Sequence, residues 1–208
     1  MQRINMISQI KYLKQQMKNY KILISLLLII GFSFLFGCRK DEMSRKELKE
    51  YMRSDKNGVK QIKEYNGIKA EAFLIRPELI GDLYKRNPNT LDSLRYFMIS
   101  FSKDGREALP QAGDIDKYSQ LLNNLSFPSA QKCYVIEGNN DTLQIVNSSF
   151  SNTYGTGPSN NLLLVFKSKK IQSDCRLILE EIGFGFGKMK FGFKKKDIEN
   201  FYSIHLTD

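Results

Sequence analysis

The sequence predicts a mostly β protein, an antiparallel β-sandwich of about seven strands with two or three short peripheral helices. Short β-rich runs begin near residue 67 and cluster in the second half of the chain. Gly, Asn and Asp residues separate neighbouring runs, as expected for antiparallel hairpins. Few segments show the apolar repeat of a helix. This order favours the sandwich, and a parallel βαβ sheet is the alternative.

The first predicted strand covers residues 68–76 and is followed by a helix. Its apolar face consists of Ile68, Ala70, Ala72 and Leu74. Lys69 and Glu71 occupy the opposite face, as the two-residue period of a strand requires. Pro77 suits the first turn of a helix, whose apolar stripe would be Leu79, Ile80, Leu83 and Tyr84.

The clearest strand begins at Leu94 and ends at a turn of Lys103, Asp104 and Gly105. Both of its faces are largely apolar, which indicates a central strand that is covered on each side.

A second helix is predicted between Asp114, which can cap its first turn, and Pro128. Its apolar stripe consists of Ile115, Tyr118, Leu121, Leu122 and Leu125. Such a stripe is expected to pack on the core.

The last third of the chain reads as consecutive strands. Two β-rich runs flank residues 138–141 and predict a hairpin, and a strand at 162–166 shows little alternation, which indicates burial on both faces. A final pair of strands spans residues 175–193. The apolar parity changes between Phe186 and Met189, so we expect a bulge or bend at Gly185 or Gly187.

The segment before these strands predicts a tether. Ser44 and Glu47 have the spacing of a capping box, which predicts a short helix over residues 44–52. Residues 54–67 are polar and are typical of a linker and turn. The expected organisation is therefore a signal at 1–37, a tether with a short helix at 38–66, and a single β-rich domain at 67–208.

The N-terminus has the features of a secretory signal. Five basic residues and no acidic one precede residue 22, and the next fifteen residues, 22–36, carry no charge. This run is short for a membrane-spanning helix, which needs about 20 apolar residues. Met17 alone would begin a signal of ordinary length, so it is an alternative start.

The end of the apolar run resembles the lipobox of bacterial lipoproteins. Leu35, Gly37 and Cys38 match its pattern, while Phe36 is bulkier than usual. The resemblance implies cleavage before Cys38 and attachment of acyl chains, such as palmitate, to that residue. An uncleaved anchor with an incidental cysteine is the alternative.

Residues after Cys38 resemble the surface-export signal of Bacteroidota lipoproteins. Lys40, Asp41 and Glu42 occupy the places of its Lys and two acidic residues. The resemblance implies a lipid-anchored protein of the outer membrane, exposed on the cell surface. The alternative is that these charges only keep a tether solvated.

Most of the predicted domain also resembles an uncharacterised lipoprotein family of Bacteroidota. The shared stretches lie at residues 66–80, 96–109, 153–166 and 181–193. They consist of strands and turns, so the resemblance implies location and fold but no activity.

The charge composition argues against a nucleic-acid partner. Removing residues 1–37 lowers the net charge from +10 to +5, because five of the 32 Lys and Arg residues lie in that segment. The remaining charges are interspersed, so we expect no nucleic-acid partner.

The sequence names no catalytic residue, metal site or cofactor. His205 is the only histidine, which excludes a multi-His metal site. The stretch from Gly183 to Lys188 lacks the pattern of a phosphate-binding loop. Glu180 and Glu181 are adjacent and would point to opposite faces of a strand.

In addition to Cys38, the predicted site of lipidation, the sequence contains Cys133 and Cys175. They are either a disulfide of an oxidising compartment or two buried thiols.

The candidate binding surface is the loop at residues 151–161. It is rich in Gly, Ser, Asn and Thr around one Tyr, a composition that suits adaptable hydrogen bonding around an aromatic anchor. Its candidate contact residues are Asn152, Tyr154, Ser159 and Asn160. An ordinary hairpin loop with Tyr154 tucked into the core is the alternative.

The sequence therefore predicts a membrane-anchored lipoprotein with a non-enzymatic binding or envelope-accessory role. Its partners would be the membrane, through lipid on Cys38, and an envelope protein or polysaccharide. The alternative function is a hydrolase of surface polysaccharide or peptide that uses carboxylates the sequence does not identify.

Overall fold

The computed structural model describes residues 42–80, 94–127, 132–138, 141–168 and 171–207. The strands in these ranges are β1 (Glu42–Met43), β2 (Lys60–Tyr65), β3 (Ile68–Ile75), β4 (Leu94–Lys103), β5 (Arg106–Glu107), β6 (Cys133–Glu137), β7 (Asp141–Leu143), β8 (Ile145–Ser151), β9 (Asn160–Lys167), β10 (Cys175–Leu179), β11 (Met189–Phe193) and β12 (His205–Leu206). The α-helices in these ranges are α1 (Arg45–Arg53), α2 (Ile115–Ser126) and α3 (Lys195–Tyr202). The fold is mostly β, as predicted.

The larger sheet has the order β2-β3-β4-β9-β8, with β5 paired to β4. Every pair in it is antiparallel. β4 lies between β3 and β9, which confirms the prediction of a central strand. β9 is buried on both faces from Leu162 to Phe166, also as predicted.

The smaller sheet has the order β11-β10-β6-β7 and is likewise antiparallel throughout. The predicted hairpin is its β6–β7 pair, and the predicted final strand pair is β10–β11. The parallel βαβ alternative is therefore wrong for both sheets. One short parallel pair joins β1 to β12.

The two sheets pack as a sandwich around the larger of two apolar clusters, and the smaller cluster contains Leu163 and Val165 of β9. Phe97 of β4 meets Phe193 of β11, with ring centroids 5.3 Å apart. Six residues of the predicted core are buried: Phe97, Ile99, Leu121, Leu163, Val165 and Ile178. Leu122 is only half-buried, because the buried stripe of α2 is centred on Leu121 and Leu125. Ile115, at the start of that helix, is 73% exposed.

Residues 42–66 belong to the domain, so the predicted tether is wrong for these residues. The capping box at Ser44 is present, and Leu48 of α1 is fully buried, as is Val59. β2 pairs along its whole length with β3. β2 is an edge strand, and its charged side chains protect the open edge of the sheet from pairing with another chain. The same charges give the segment the composition of a linker, so its sequence did not predict a strand.

Two predicted segments end at residues the structure does not describe. The helix predicted from Pro77 is a short 3-10 helix at Pro77–Leu79, and its continuation at 81–93 lies outside the described residues. The exit at Pro128 and the centre of the 138–141 turn also lie outside them.

Glycines with positive φ change which face of the chain is apolar before β11, as predicted. Gly183, Gly185 and Gly187 have φ values of 121°, 86° and 64°. Such φ values suit glycine because a Cβ would clash. The predicted strand is shorter than expected, since residues 180–188 form a loop and β11 begins at Met189.

Cys133 and Cys175 are free and buried, so the disulfide alternative is wrong. Their strands are neighbours, but Cys175 lies opposite Glu137 and Cys133 lies opposite Leu179. An offset of four residues is about 13 Å along a strand. A disulfide needs Cα atoms within about 7 Å of each other.

Candidate functional site

The predicted binding loop connects β8 to β9 at one end of the larger sheet. It comprises residues 152–159, and we call it the 152–159 loop. The loop lies against β5 and the 3-10 helix Leu109–Gln111. Glu107 of β5 accepts a hydrogen bond from Thr153 of the loop, and the N–H of Leu109 donates to Asn160, which follows the loop.

A buried carboxylate holds this loop. Glu107 is 1% exposed. Its Oε1 accepts hydrogen bonds from the backbone N–H and the hydroxyl of Thr153, at 2.7 and 2.8 Å. Its Oε2 accepts from the N–H of Gly155 at 2.5 Å, and its own N–H donates to the carbonyl of Gly157 at 3.2 Å. Bonds to an ionised acceptor are the stronger class, so Glu107 fixes the loop backbone.

Tyr154 lies between the two residues that Glu107 holds. Its side chain is 80% exposed and its φ is 55°. A left-handed conformation is unfavourable for a residue with a Cβ and persists where the surroundings impose it. The tyrosine ring is therefore presented to solvent by a fixed turn, and the alternative of a ring in the core is wrong.

The other predicted loop residues have different roles. The Nδ2 of Asn152 donates to the hydroxyl of Tyr118 in α2, and its Oδ1 accepts from the N–H of Tyr154. Ser159 donates to Asn161 and is half-buried. Asn160 is fully buried, and its Oδ1 accepts from the N–H of Leu109 at 2.8 Å. Asn160 is thus a structural support, which corrects its prediction as a contact residue.

A cleft of about 440 Å³ lies beside the 152–159 loop. Its lining residues are Asp104, Arg106, Glu107, Pro110, Gln111 and Gly155. Asp104 and Arg106 are exposed at its rim, so the cleft carries both signs of charge. Gln111 braces its wall by donating to the carbonyls of Lys103 and Glu107, at 2.8 and 2.9 Å.

The described residues of the cleft do not form a carboxylate pair with the geometry for acid–base chemistry. Asp104 and Glu107 both line it. Both oxygens of Glu107, however, accept hydrogen bonds from the 152–159 loop, and the side chain has almost no contact with solvent. A catalytic acid or base must reach the substrate, so Glu107 cannot serve as one in this arrangement.

The glycine-rich segment before β11 binds a carboxylate of its own chain. Glu181 accepts hydrogen bonds from the N–H groups of Gly183, Gly185 and Gly187, at 2.5, 3.0 and 2.5 Å. Burial alone would raise the pKa of the Glu181 carboxyl, but the three amides hold it below its usual value. These amides form an anion cradle that Glu181 itself fills.

A buried ion pair joins the two sheets. Arg95 of β4 is 1% exposed. Its Nη2 donates to Glu137 at the end of β6, at 3.1 Å, and to the hydroxyl of Ser168, at 2.9 Å. Sequence reasoning missed this pair and the Glu107 support, because their partners lie more than 40 residues away and no local pattern marks them.

Of the predicted lipidation and export residues, only Glu42 lies within the described ranges. It is exposed in β1, opposite the exposed His205 of β12. Cys38, Lys40 and Asp41 lie outside the described residues. No group of His, Cys, Asp and Glu in the described part of the chain could hold a metal ion. No helix in the described ranges is long and apolar enough to cross a membrane.

No family model and no curated protein matches this chain. Among solved structures, the chain is similar to a DUF4426 family protein from Pseudomonas aeruginosa, with 8% sequence identity and a TM-score of 0.34. The match covers 65% of this chain and 92% of that chain. At this TM-score the likeness carries no weight for fold or function. The resemblance to Bacteroidota lipoproteins stays a prediction.

Proposed function

We propose that this protein is a lipid-anchored envelope protein whose 152–159 loop binds another envelope component, a protein or a polysaccharide, without catalysis. The observation that carries the proposal is Tyr154, an exposed aromatic ring in a left-handed conformation that a buried carboxylate imposes. Backbone strain that the surrounding structure imposes is typical of recognition sites and active sites.

The chemistry around Tyr154 supports recognition of a polar partner. A rigid tyrosine supplies apolar contact area and a hydroxyl with little loss of side-chain entropy on binding. The adjacent cleft adds Asp104 and Arg106, which can pair with charged or hydroxyl groups. The exposed carbonyls, hydroxyls and amides of the 152–159 loop add adaptable hydrogen bonds.

The proposed location depends on the N-terminal signals. We propose that Cys38 carries the lipid and that Lys40, Asp41 and Glu42 direct the protein to the cell-surface face of the outer membrane. The apolar run and its end at Leu35–Cys38 support the lipid anchor. The charges that follow Cys38 support the export signal.

A photo-crosslinking amino acid at position 154 in living cells tests the binding proposal. The matched control is the same amino acid at Phe127, which is 81% exposed against 80% for Tyr154. We expect a discrete adduct from position 154 and none of the same mass from position 127. Protease treatment of the adduct separates a protein partner, which is degraded, from a polysaccharide, which is not. Identical adducts from both positions, or none from position 154, would contradict the proposal.

A further inference from the structure

The outer face of the smaller sheet carries a basic surface, in which the carboxylate of Glu180 lies near Lys190. In β11, Met189, Phe191 and Phe193 are buried, while Lys190 and Gly192 alternate with them and are exposed. Gly192 pairs with Arg176 of β10, which is also exposed. Lys194 follows β11 and is exposed as well. Gly192 is therefore flanked along the chain by Lys190 and Lys194, and across the sheet by Arg176.

Gly192 forms part of the floor of a cleft, which we call the Gly192 cleft. The cleft has a volume of about 740 Å³ and lies where β6 ends, β10 begins and α3 begins. A Cβ added to Gly192 would meet no atom within 4 Å. A glycine inside a strand often marks a place where a ligand approaches the backbone closely.

The charges that line the Gly192 cleft are mainly positive. Arg176, Lys194 and Lys195 line it together with one carboxylate, Asp174. The Oδ1 of Asp174 accepts from the N–H of Lys195 at 2.8 Å, so this carboxylate caps the first turn of α3. The Nζ of Lys195 lies 3.7 Å from Glu199. No ion pair neutralises Arg176 or Lys194 within the described part of the chain.

This arrangement fits a phosphate group. An arginine binds phosphate through two parallel N–H donors, and lysines add charge that requires no fixed orientation. The glycine floor leaves room for the phosphate oxygens between these cations.

The position of the Gly192 cleft in the chain relates it to the proposed anchor. β1 begins at Glu42, four residues after Cys38, and this stretch can extend over at most about 14 Å. β1 pairs with β12, which follows the C-terminus of α3. The Gly192 cleft lies at the N-terminus of the same helix, which spans about 12 Å. This reach allows a chain anchored at Cys38 to lie on the membrane with the Gly192 cleft facing the lipid headgroups.

We infer that the Gly192 cleft binds the phosphate groups of anionic lipid headgroups in the membrane that carries the anchor. The inference rests on the proposed lipid at Cys38. Basic surface residues close to a membrane gain attraction from anionic lipids, and this attraction decays over about one Debye length. The cleft would fix the orientation of the domain at the membrane and leave the 152–159 loop to its partner.

Lysine footprinting on the acylated full chain tests this inference. The protein is reconstituted through its own lipid into vesicles of phosphatidylcholine, with or without phosphatidylglycerol, and acetylation of each lysine is followed by mass spectrometry. We expect acetylation of Lys190 and Lys194 to slow several-fold in the anionic vesicles. Exposed Lys63 of β2 is the internal control and should not change. High salt should remove the protection, because it screens the attraction.

Two substitutions at one position give a matched pair. Gly192→Ala adds a Cβ in open space and should keep the protection, whereas Gly192→Glu adds a carboxylate to the cleft floor and should abolish it. Equal protection in both variants would overturn the inference. Protection by inorganic phosphate, with none from anionic vesicles, would instead assign the cleft to a soluble ligand and overturn the membrane assignment.

The same experiment separates this inference from the proposal on which it rests. The mass of the peptide that contains Cys38 reports whether the residue is acylated. An unacylated Cys38 overturns the anchor and, with it, the membrane assignment of the cleft. An acylated chain whose lysines react equally in both kinds of vesicle overturns the cleft assignment alone.

Discussion

Glu107 is a carboxylate with almost no exposed surface, and both of its oxygens accept hydrogen bonds from the 152–159 loop. A buried charge is tolerated only when it is paired or well hydrogen-bonded. Here the backbone N–H groups of Thr153 and Gly155 supply the bonds that solvent would otherwise provide. The conformation of the loop and the burial of Glu107 therefore depend on each other.

Glu107→Gln tests this dependence with no change of shape. The glutamine oxygen can accept from one side only, so its NH₂ group must face a backbone or hydroxyl donor. We expect the free energy of unfolding to fall by about 1–3 kcal/mol, the usual cost of a buried group without its partner. Denaturant unfolding measures the change. Glu64→Gln, at an exposed position of β2, is the control and should have little effect. Equal stability of both variants would rule out the support assigned to Glu107.

At the scale of elements, the loop at 180–188 is built around a second carboxylate. Glu181 bonds three glycine amides. The rings around it also pack, since Phe184 contacts Phe101 with centroids 5.3 Å apart. The loop thus turns the chain between β10 and β11 and changes which residues face the core.

The Glu181 loop predicts a pH dependence of stability. The folded state lowers the pKa of this carboxyl, so Glu181 stabilises the fold fully above the unfolded pKa of about 4.3. That stabilisation is lost as the pH falls through the folded pKa. We expect Glu181→Gln to lower stability at pH 7 and to reduce the difference between pH 7 and pH 3. Chemical denaturation at several pH values measures both, and parallel curves for the variant and the wild type would contradict the role of Glu181.

Apolar residues were sufficient to predict the central elements. β4 and β9 are largely apolar on both faces and mostly buried, and α2 carries an apolar stripe that is buried at its centre. β2 was missed because an edge strand has one neighbour and can carry Lys60, Lys63 and Glu64. Its apolar residues, Ile62 and Tyr65, are partly exposed and give no alternating signal.

The candidate site was predictable only in part, because some of its residues are fixed by contacts with distant segments of the chain. The composition of residues 151–161 marked Tyr154 as an aromatic anchor, and the structure places it at the loop surface. The carboxylate that holds the neighbouring Thr153 comes from β5, 46 residues earlier in the chain. Contacts over such separations leave no periodic pattern, so Asn160 could not be recognised as a buried support.

At the scale of the whole molecule, the sandwich depends on contacts between its sheets. Phe97 and Phe193 join the sheets through the core, and Arg95 joins them through Glu137. Breaking a buried pair by removing one partner typically costs about 3–5 kcal/mol. These contacts hold the two sheets together, and the 152–159 loop and the Gly192 cleft form separate surfaces of the domain.

The anchor and export proposals predict two separable phenotypes. Cys38→Ser should prevent labelling of the protein by a metabolic fatty acid. Alanine at Lys40, Asp41 and Glu42 together should leave that labelling intact and protect the protein from protease added to whole cells. Equal digestion of the wild type and the triple variant would remove the surface assignment. Labelling of Cys38→Ser would remove the anchor.

The most direct test of the central claim is Tyr154→Gly, measured for both stability and binding. In the folded state, tyrosine pays about 1–2 kcal/mol for its left-handed conformation, and glycine does not. Glycine also has more conformational freedom in the unfolded state, which lowers the free energy of unfolding by about 0.5–1 kcal/mol and so cancels part of this stabilisation. If the tyrosine serves recognition, the variant should unfold at an equal or higher denaturant concentration. It should also fail to retain the envelope component that wild type and Phe127→Ala retain when immobilised. A variant that is destabilised, or that retains the component as the wild type does, would contradict the claim that Tyr154 is held in strain for binding.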